Sequence, residues 1–279
     1  MAPLVTVVYV ALGACAFAWV ASLLTKDTSW VDRMWSILPE TYAWVFAGYA
    51  GLANVRLDVM AVLATLWGIR LTFNFARKGG YSGVEDYRWA VLRERMNPRK
   101  FQLFNLFFIV LYQNALLVLI ALPAFSAYQH RTTFFGPADV LIAMLFLACL
   151  AGEAVADQQQ WSFHAWKKAQ SAAGQRPDPR FLQTGLFRYS RHPNYFFEIA
   201  QWWLFFAFAI TATRSIVQWS AVGPVLLTVL FIGSTRFTEE ISLSKYPEYA
   251  AYQRSTSAIV PWRGTTTVVR IADGVTYEG

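Results

Sequence analysis

Glu40, Glu153, Asp157 and Glu198 lie inside or at the rim of long apolar runs. A charge at membrane depth costs about 3 kcal/mol or more, so such residues face a bundle interior or a wet cavity and mark function. Glu153 and Asp157 are four apart and share a helix face, where two carboxylates repel unless a proton or a cation stands between them. His164 follows two turns after Asp157, on nearly the same side. Asn194, Glu198 and Gln201 keep the i, i+4, i+7 spacing of one helix face, as do Trp67, Arg70 and Asn74. Three segments thus each turn a polar stripe one way. The simplest arrangement aims all three at one cavity. The plainer alternative is a network of hydrogen bonds between helices, but the stripes carry more charge than packing needs.

A basic and aromatic turn stands beside these stripes. The run Thr184-Gly185-Leu186-Phe187-Arg188-Tyr189-Ser190-Arg191-His192-Pro193-Asn194-Tyr195 leads straight into the apolar segment that holds Glu198. Arg180, Arg188 and Arg191 precede that segment, Arg236 follows the next one, and Arg88 sits in Glu85-Asp86-Tyr87-Arg88-Trp89. Arginine forks suit phosphate oxygens, so the set points to a phosphorylated ligand. Tyr189, Tyr195, Trp202 and Trp203 could stack on a planar ring. The chain has no G-x-G-x-x-G after a strand and no Walker motif, so a nucleotide would bind in neither the Rossmann nor the P-loop manner. Cys15 and Cys149 both fall in apolar spans and His130, His164 and His192 are scattered, so no metal centre is expected.

The elements that must position these residues are membrane helices. Of 279 residues 56% are hydrophobic, 17% aromatic and 15% charged, against about 25% charged in soluble domains. The first apolar run lacks a basic stretch before it and a cleavage site, so it reads as a span rather than a signal peptide. Seven segments approach the roughly 20 apolar residues a crossing needs: 4–24, 34–53, 58–76, 101–124, 137–160, 194–213 and 216–235. The second is interrupted by Pro39 and Glu40. Of the 24 lysines and arginines, Arg56, Arg131 and Arg214 fall on one side, Arg70 lies in a span, and the other 20 fall on the opposite side. This asymmetry predicts an all-α membrane protein of seven transmembrane helices, with the N-terminus outside and the C-terminus cytoplasmic. The expected organisation is one membrane domain over 1–262, its ligand-binding half at about 137–262, with a polar tail at 263–279. The net charge of +7 suits contact with anionic lipid. No soluble module carries it, so nucleic-acid binding is not expected. No required protein partner is evident.

Thr184 through Phe187, Asn194 and Glu198, with Asp157 before them and Tyr246-Pro247-Glu248-Tyr249 after, resemble the steroid 5-alpha-reductase superfamily. The closer likeness is to its DUF1295 branch, of which Glu85-Asp86-Tyr87-Arg88-Trp89 is also typical. The resemblance covers most of residues 30–262. It implies a seven-helix enzyme that uses NADPH to reduce a carbon–carbon double bond conjugated to a ketone. The substrate would be a lipophilic enone such as a 3-oxo-delta4 steroid, entering from membrane lipid. The resemblance places Arg70, Asp157, Arg180, Tyr189, Asn194 and Glu198 where the family contacts its cofactor, with Glu153, His164 and Arg236 near such positions; Asn74, Arg88, Arg191, His192 and Tyr195, from the polar stripes and the basic turns, complete the expected cofactor-binding set. The family polarises its ketone with a glutamine–glutamate pair and a tyrosine. Here Trp35 fits the family's second helix, Glu40 fits with a shift of one, and Trp67 stands where the tyrosine would be.

Hydride transfer to an enone leaves negative charge on the ketone oxygen, and a protonated acid in an apolar site can donate to it. Glu40 is the expected donor, with Tyr42 or Tyr87 as replacements; Glu40, Tyr87 and Trp35 form the expected catalytic set. A multi-pass protein of the bacterial inner membrane, rather than the endoplasmic reticulum, fits these features. A second likeness competes. Arg191-His192-Pro193-Asn194-Tyr195, with Glu239-Glu240 later, resembles the isoprenylcysteine methyltransferases, which use S-adenosylmethionine. That cofactor has no phosphate and would leave the arginines without a purpose.

Overall fold

The computed structural model describes residues 2–262 and, beyond them, residues 267–269 and 276–278. Five long apolar helices are α1 (Ala2–Thr25), α4 (Val55–Arg77), α8 (Pro137–Ala172), α9 (Pro193–Thr213) and α10 (Val222–Lys245). With the continuous run Pro98–Gln129, six helices among the described residues are long and apolar enough to cross a membrane. The chain is built as a multi-pass membrane protein.

The segment 34–53, expected as the second span, is not one helix. It divides between α2 (Trp30–Trp35) and α3 (Leu38–Tyr49), and neither is long enough to cross alone. Pro39 sits at the start of α3, where its missing N–H is harmless. The same proline cannot continue a helix arriving from α2, so the chain turns a corner at Ser36–Ile37 and begins again. α4 starts at Asn54, whose side chain accepts from the Leu57 N–H. Asp86 and Asn97 cap α5 (Tyr87–Arg95) and α6 (Pro98–Phe104) in the same way. α6 runs through a π-helical segment, Asn105–Tyr112, into α7 (Gln113–Gln129) without a break. α8 continues to Ala172, well past the apolar run that announced it, and α10 carries on to Lys245 before the short α11 (Tyr249–Ser255). In the tail, β1 (Thr267–Val269) pairs antiparallel with β2 (Thr276–Glu278); the rest of 263–279 lies outside the described residues.

The chain forms two compact units, Met1–Leu147 with Trp202–Leu227, and Ala148–Gln201 with Thr228–Gly279. In the first, α1, α3, α4 and α7 pack on one another around Tyr42, Phe46, Met60, Trp67 and Ile120. Gly223 lets α10 approach α7 backbone to backbone, since a Cβ there would stand 2.2 Å from the Leu119 carbonyl oxygen. A buried ion pair also holds this unit. Arg56 donates to both oxygens of Asp139, at 2.8 and 3.0 Å, and to the carbonyls of Thr133 and Phe134. The second unit is centred on Phe181, Tyr249 and Tyr252.

Candidate functional site

In the second unit the sequence between α8 and α9 folds back on itself. Gly185 adopts φ +64°, and a Cβ there would lie 2.4 Å from the Gln159 amide. Glycine therefore permits both the turn and the bond from the Leu186 N–H to Gln159 Oε1, 2.9 Å. The following residues are clasped by the chain's C-terminal part. Arg191 Nε and Nη2 donate to Glu239 at 2.6 and 3.0 Å, and Nη1 donates to the carbonyls of Gln253 (3.0 Å) and Thr256. His192 Nε2 lies 3.1 Å from Glu239 Oε1, and Gln253 donates to Oε2 at 2.7 Å. The His192 ring stacks on Tyr195. Backbone bonds from Arg191 and His192 to Ser257 and Ala258 complete the clasp. Arg180 pairs with Glu248 through Nε and Nη2. Lys167 donates to the Arg180 carbonyl and to the Tyr246 hydroxyl, at 2.8 and 2.7 Å. Arg180 and Arg191 are thus held by the protein's own carboxylates.

The acids of α8 and α9 behave differently. Glu153, Asp157 and Glu198 are 3%, 4% and 4% exposed, so the polar stripes read from spacing do turn inward. Gly152 admits the Phe197 ring, 2.5 Å from where its Cβ would be, and so brings the two helices close. One turn on, Gln201 donates to Glu153 Oε2 at 2.6 Å and to the Phe197 carbonyl at 3.2 Å. Both partners accept, which fixes the amide nitrogen at that end. Gln201 Oε1 points elsewhere, buried and without a partner. Asn194 and Tyr195 are half-buried at the start of α9. His164 is exposed, because α8 has left the packed part of the unit by two turns beyond Asp157. Tyr189 and Arg236 are exposed as well.

The first unit holds the other candidates. On α4, Trp67 meets Trp202 edge-on at 4.9 Å, Arg70 is half-buried, and Asn74 accepts two bonds from Arg77. Arg88 bonds to Asp86 at the start of α5, where Tyr87 is exposed. Trp35 packs among Val31, Trp89 and Ile109. Glu40, in the first turn of α3, lays its carboxyl on Gly68 of α4, and its Oε2 is buried with no hydrogen-bond partner. Tyr42 is two residues on, about 200° around the helix axis. Its hydroxyl, fully buried and also without a partner, does not share the Gly68 notch.

The motif Glu85 to Trp89 has a local task in this unit. Glu85 accepts from the Thr28 N–H and hydroxyl and from Arg93; Trp89 Nε1 donates to Asp32 Oδ2 at 2.8 Å. Together they tie the corner between α1 and α2 to α5. Burial opposes charge on Glu85, but its bonds to Arg93 and Thr28 outweigh that and hold its carboxyl below the usual range. Asp32 goes the other way. Burial, with the Asp86 carboxylate beside it, pushes it up to about 6 against the pull of Arg88 and Trp89.

A family model described as a protein of unknown function, DUF1295, matches residues 18–256. The chain belongs to the DUF1295 family. That family is related to the steroid 5-alpha-reductase superfamily. An uncharacterized protein of Schizosaccharomyces pombe is 39% identical over 259 residues, covering 87% of this chain and 75% of the relative. No solved structure matches the chain. The DUF1295 match takes in every candidate residue of both units, from Trp35 to Arg236. Sequence reasoning named Glu248 only within its motif and missed Gln253; the roles of both depend on partners far along the chain. Gln201 was seen as part of a stripe, but its unpartnered oxygen could not be. Among the described residues no cluster of histidine, cysteine and acids suits a metal ion.

Proposed function

We propose that this DUF1295 protein is an NADPH-dependent membrane reductase of the carbon–carbon double bond of a lipophilic enone, with 3-oxo-delta4 steroids as the model substrate class. The observation that carries the reading is the set of buried acids on two apolar helices, Glu153, Asp157 and Glu198, with the unpartnered acceptor Gln201 Oε1 beside them. Membrane helices keep such groups for a ligand or a proton path. A free acceptor oxygen suits a primary amide N–H, and carboxylates suit ribose hydroxyls, so these residues fit NADPH at its ribose and carboxamide. At the phosphate end the exposed Arg236 suits it better than Arg180 and Arg191, which Glu248 and Glu239 already hold. Bound NADPH would supply the hydride.

The chain's own part is to hold the ketone and answer its developing charge. Glu40, whose Oε2 is unpartnered in the Gly68 notch, is the donor to the ketone oxygen in this reading. For the topology we propose that 34–53, the end of α2 with α3, makes a seventh crossing, with Asp32 outside it, the N-terminus outside and the C-terminus cytoplasmic. A C-terminal fluorescent fusion checks this, and a dark or extracytoplasmic fusion rejects it.

One observation favours the second reading. Arg191 and His192 meet Glu239 in space, joining the pieces that resemble the isoprenylcysteine methyltransferases. Mass spectrometry of the protein purified in mild detergent separates the two. Retained NADPH supports the reductase, and retained S-adenosylmethionine the methyltransferase.

A further inference from the structure

We infer that Gly68 is a positioning residue, the element of α4 that seats the Glu40 carboxyl, protonated and without a protein partner, where it can serve as a donor. The inference rests on the reading of Glu40 given above. Gly68 is buried in the middle of α4 in ordinary helical geometry, so no left-handed backbone calls for a glycine. A glycine there costs about 1 kcal/mol relative to alanine. What it provides is space. A Cβ at 68 would stand 2.6 Å from Glu40 Oε2, 3.1 Å from Glu40 Cδ and 2.6 Å from the Ser36 carbonyl oxygen. The corner between α2 and α3 is pinned to α4 one turn later by a 2.7 Å bond between the Ser36 and Thr72 hydroxyls.

Other tight glycines receive different neighbours. Gly152 takes a phenylalanine ring and Gly223 takes backbone. Gly68 takes an ionisable group. A glutamate in the first turn of a helix can bend back to cap its own backbone, but Glu40 Oε2 has no hydrogen-bond partner. A buried polar atom left so is costly, and the fit of acid to glycine keeps it in place. Gly68 is thus a device for holding a carboxyl close to α4 with its polar end unspent.

Difference infrared spectroscopy of the full chain in lipid nanodiscs tests this without a substrate. Wild type minus Glu40→Gln should show the carbonyl stretch of a protonated carboxyl lacking a hydrogen bond. Gly68→Ala should shift or abolish that band. Gly48→Ala, at a site with open space around it, should leave it alone. No such band in wild type, or the same band in Gly68→Ala, overturns the inference. Should Gly68→Ala not accumulate, adding Glu40→Ala decides. Rescue shows that the glycine accommodates the carboxyl, and failure shows that it serves only the Ser36 backbone, which overturns the inference. With progesterone and NADPH, Gly68→Ala should lower kcat on the order of a hundredfold with KM little changed. If the band behaves as expected and no enone is reduced, the reductase reading fails and the seating of Glu40 stands.

Discussion

Glu239 and Glu40 are both acids on largely apolar helices, and their neighbourhoods are opposites. Glu239 is held by Arg191, His192 and Gln253, and the whole group binds the start of α9 to the chain's C-terminal part. Glu40 Oε2 rests against a glycine with nothing bonded to it. A satisfied charge does architectural work; the unpartnered Glu40 carboxyl is the group proposed to act on substrate. The difference separates two kinds of acidic residue that sequence treats alike.

Breaking the satisfied side should have the largest effect on folding. Arg191→Ala leaves Glu239 buried beside an absent partner, a loss of about 3–5 kcal/mol. The expected outcome is poor accumulation or an early melting transition in detergent, read by size exclusion and thermal unfolding. An unchanged melt would mean that the clasp is not structural. Glu40→Gln should do the reverse. Its melt should match wild type and its NADPH retention should persist, while enone turnover falls by about 10²–10³. Glu40→Ala turning over at the wild-type rate would remove Glu40 from the mechanism.

A middle case sharpens the contrast. Glu198→Gln keeps shape and removes charge, so it should give a monodisperse protein with little retained NADPH; misfolding would place Glu198 with Glu239 instead. Gln201→Leu removes one buried acceptor and should weaken NADPH by about fivefold to tenfold, the worth of one neutral hydrogen bond. The smallest effect concerns Asp32. Its folded carboxyl titrates near 6 instead of 3.8, so the folded state binds its proton more tightly than the unfolded chain does. Its contribution to stability is therefore full below about pH 4 and is lost as pH rises through 6. Asp32→Asn should pull ahead of wild type over that window, its advantage in melting temperature growing as pH rises from about 4 to about 7. A gap that stays flat from pH 4 to 7 would contradict the origin given for the shift.

The polar stripes of α8 and α9 were legible because helical period alone puts Glu153 with Asp157 and Glu198 with Gln201. The break in the second span was signalled by Pro39, though the corner at Ser36–Ile37 was not. What sequence could not show was pairing across long separations. Arg180 and Arg191 read as phosphate ligands until Glu248 and Glu239 are seen beside them, and Arg56 reads as a loop charge until it is found buried on Asp139. Gly68 was silent for the same reason. A glycine's meaning lies in its neighbour.

The π-helical segment Asn105–Tyr112 has a consequence for chain length. Its turns are wider than those of the α-helix on either side, so it holds surplus backbone in the middle of an otherwise regular crossing. Removing one residue inside 105–112 would let the segment relax to α pitch and leave the azimuth of Gln113–Gln129 nearly where it is. Removing one from the middle of α4 would swing everything after it by about 100°. The crossing that contains α7 can therefore lose a residue without reorienting the side chains it presents to α3.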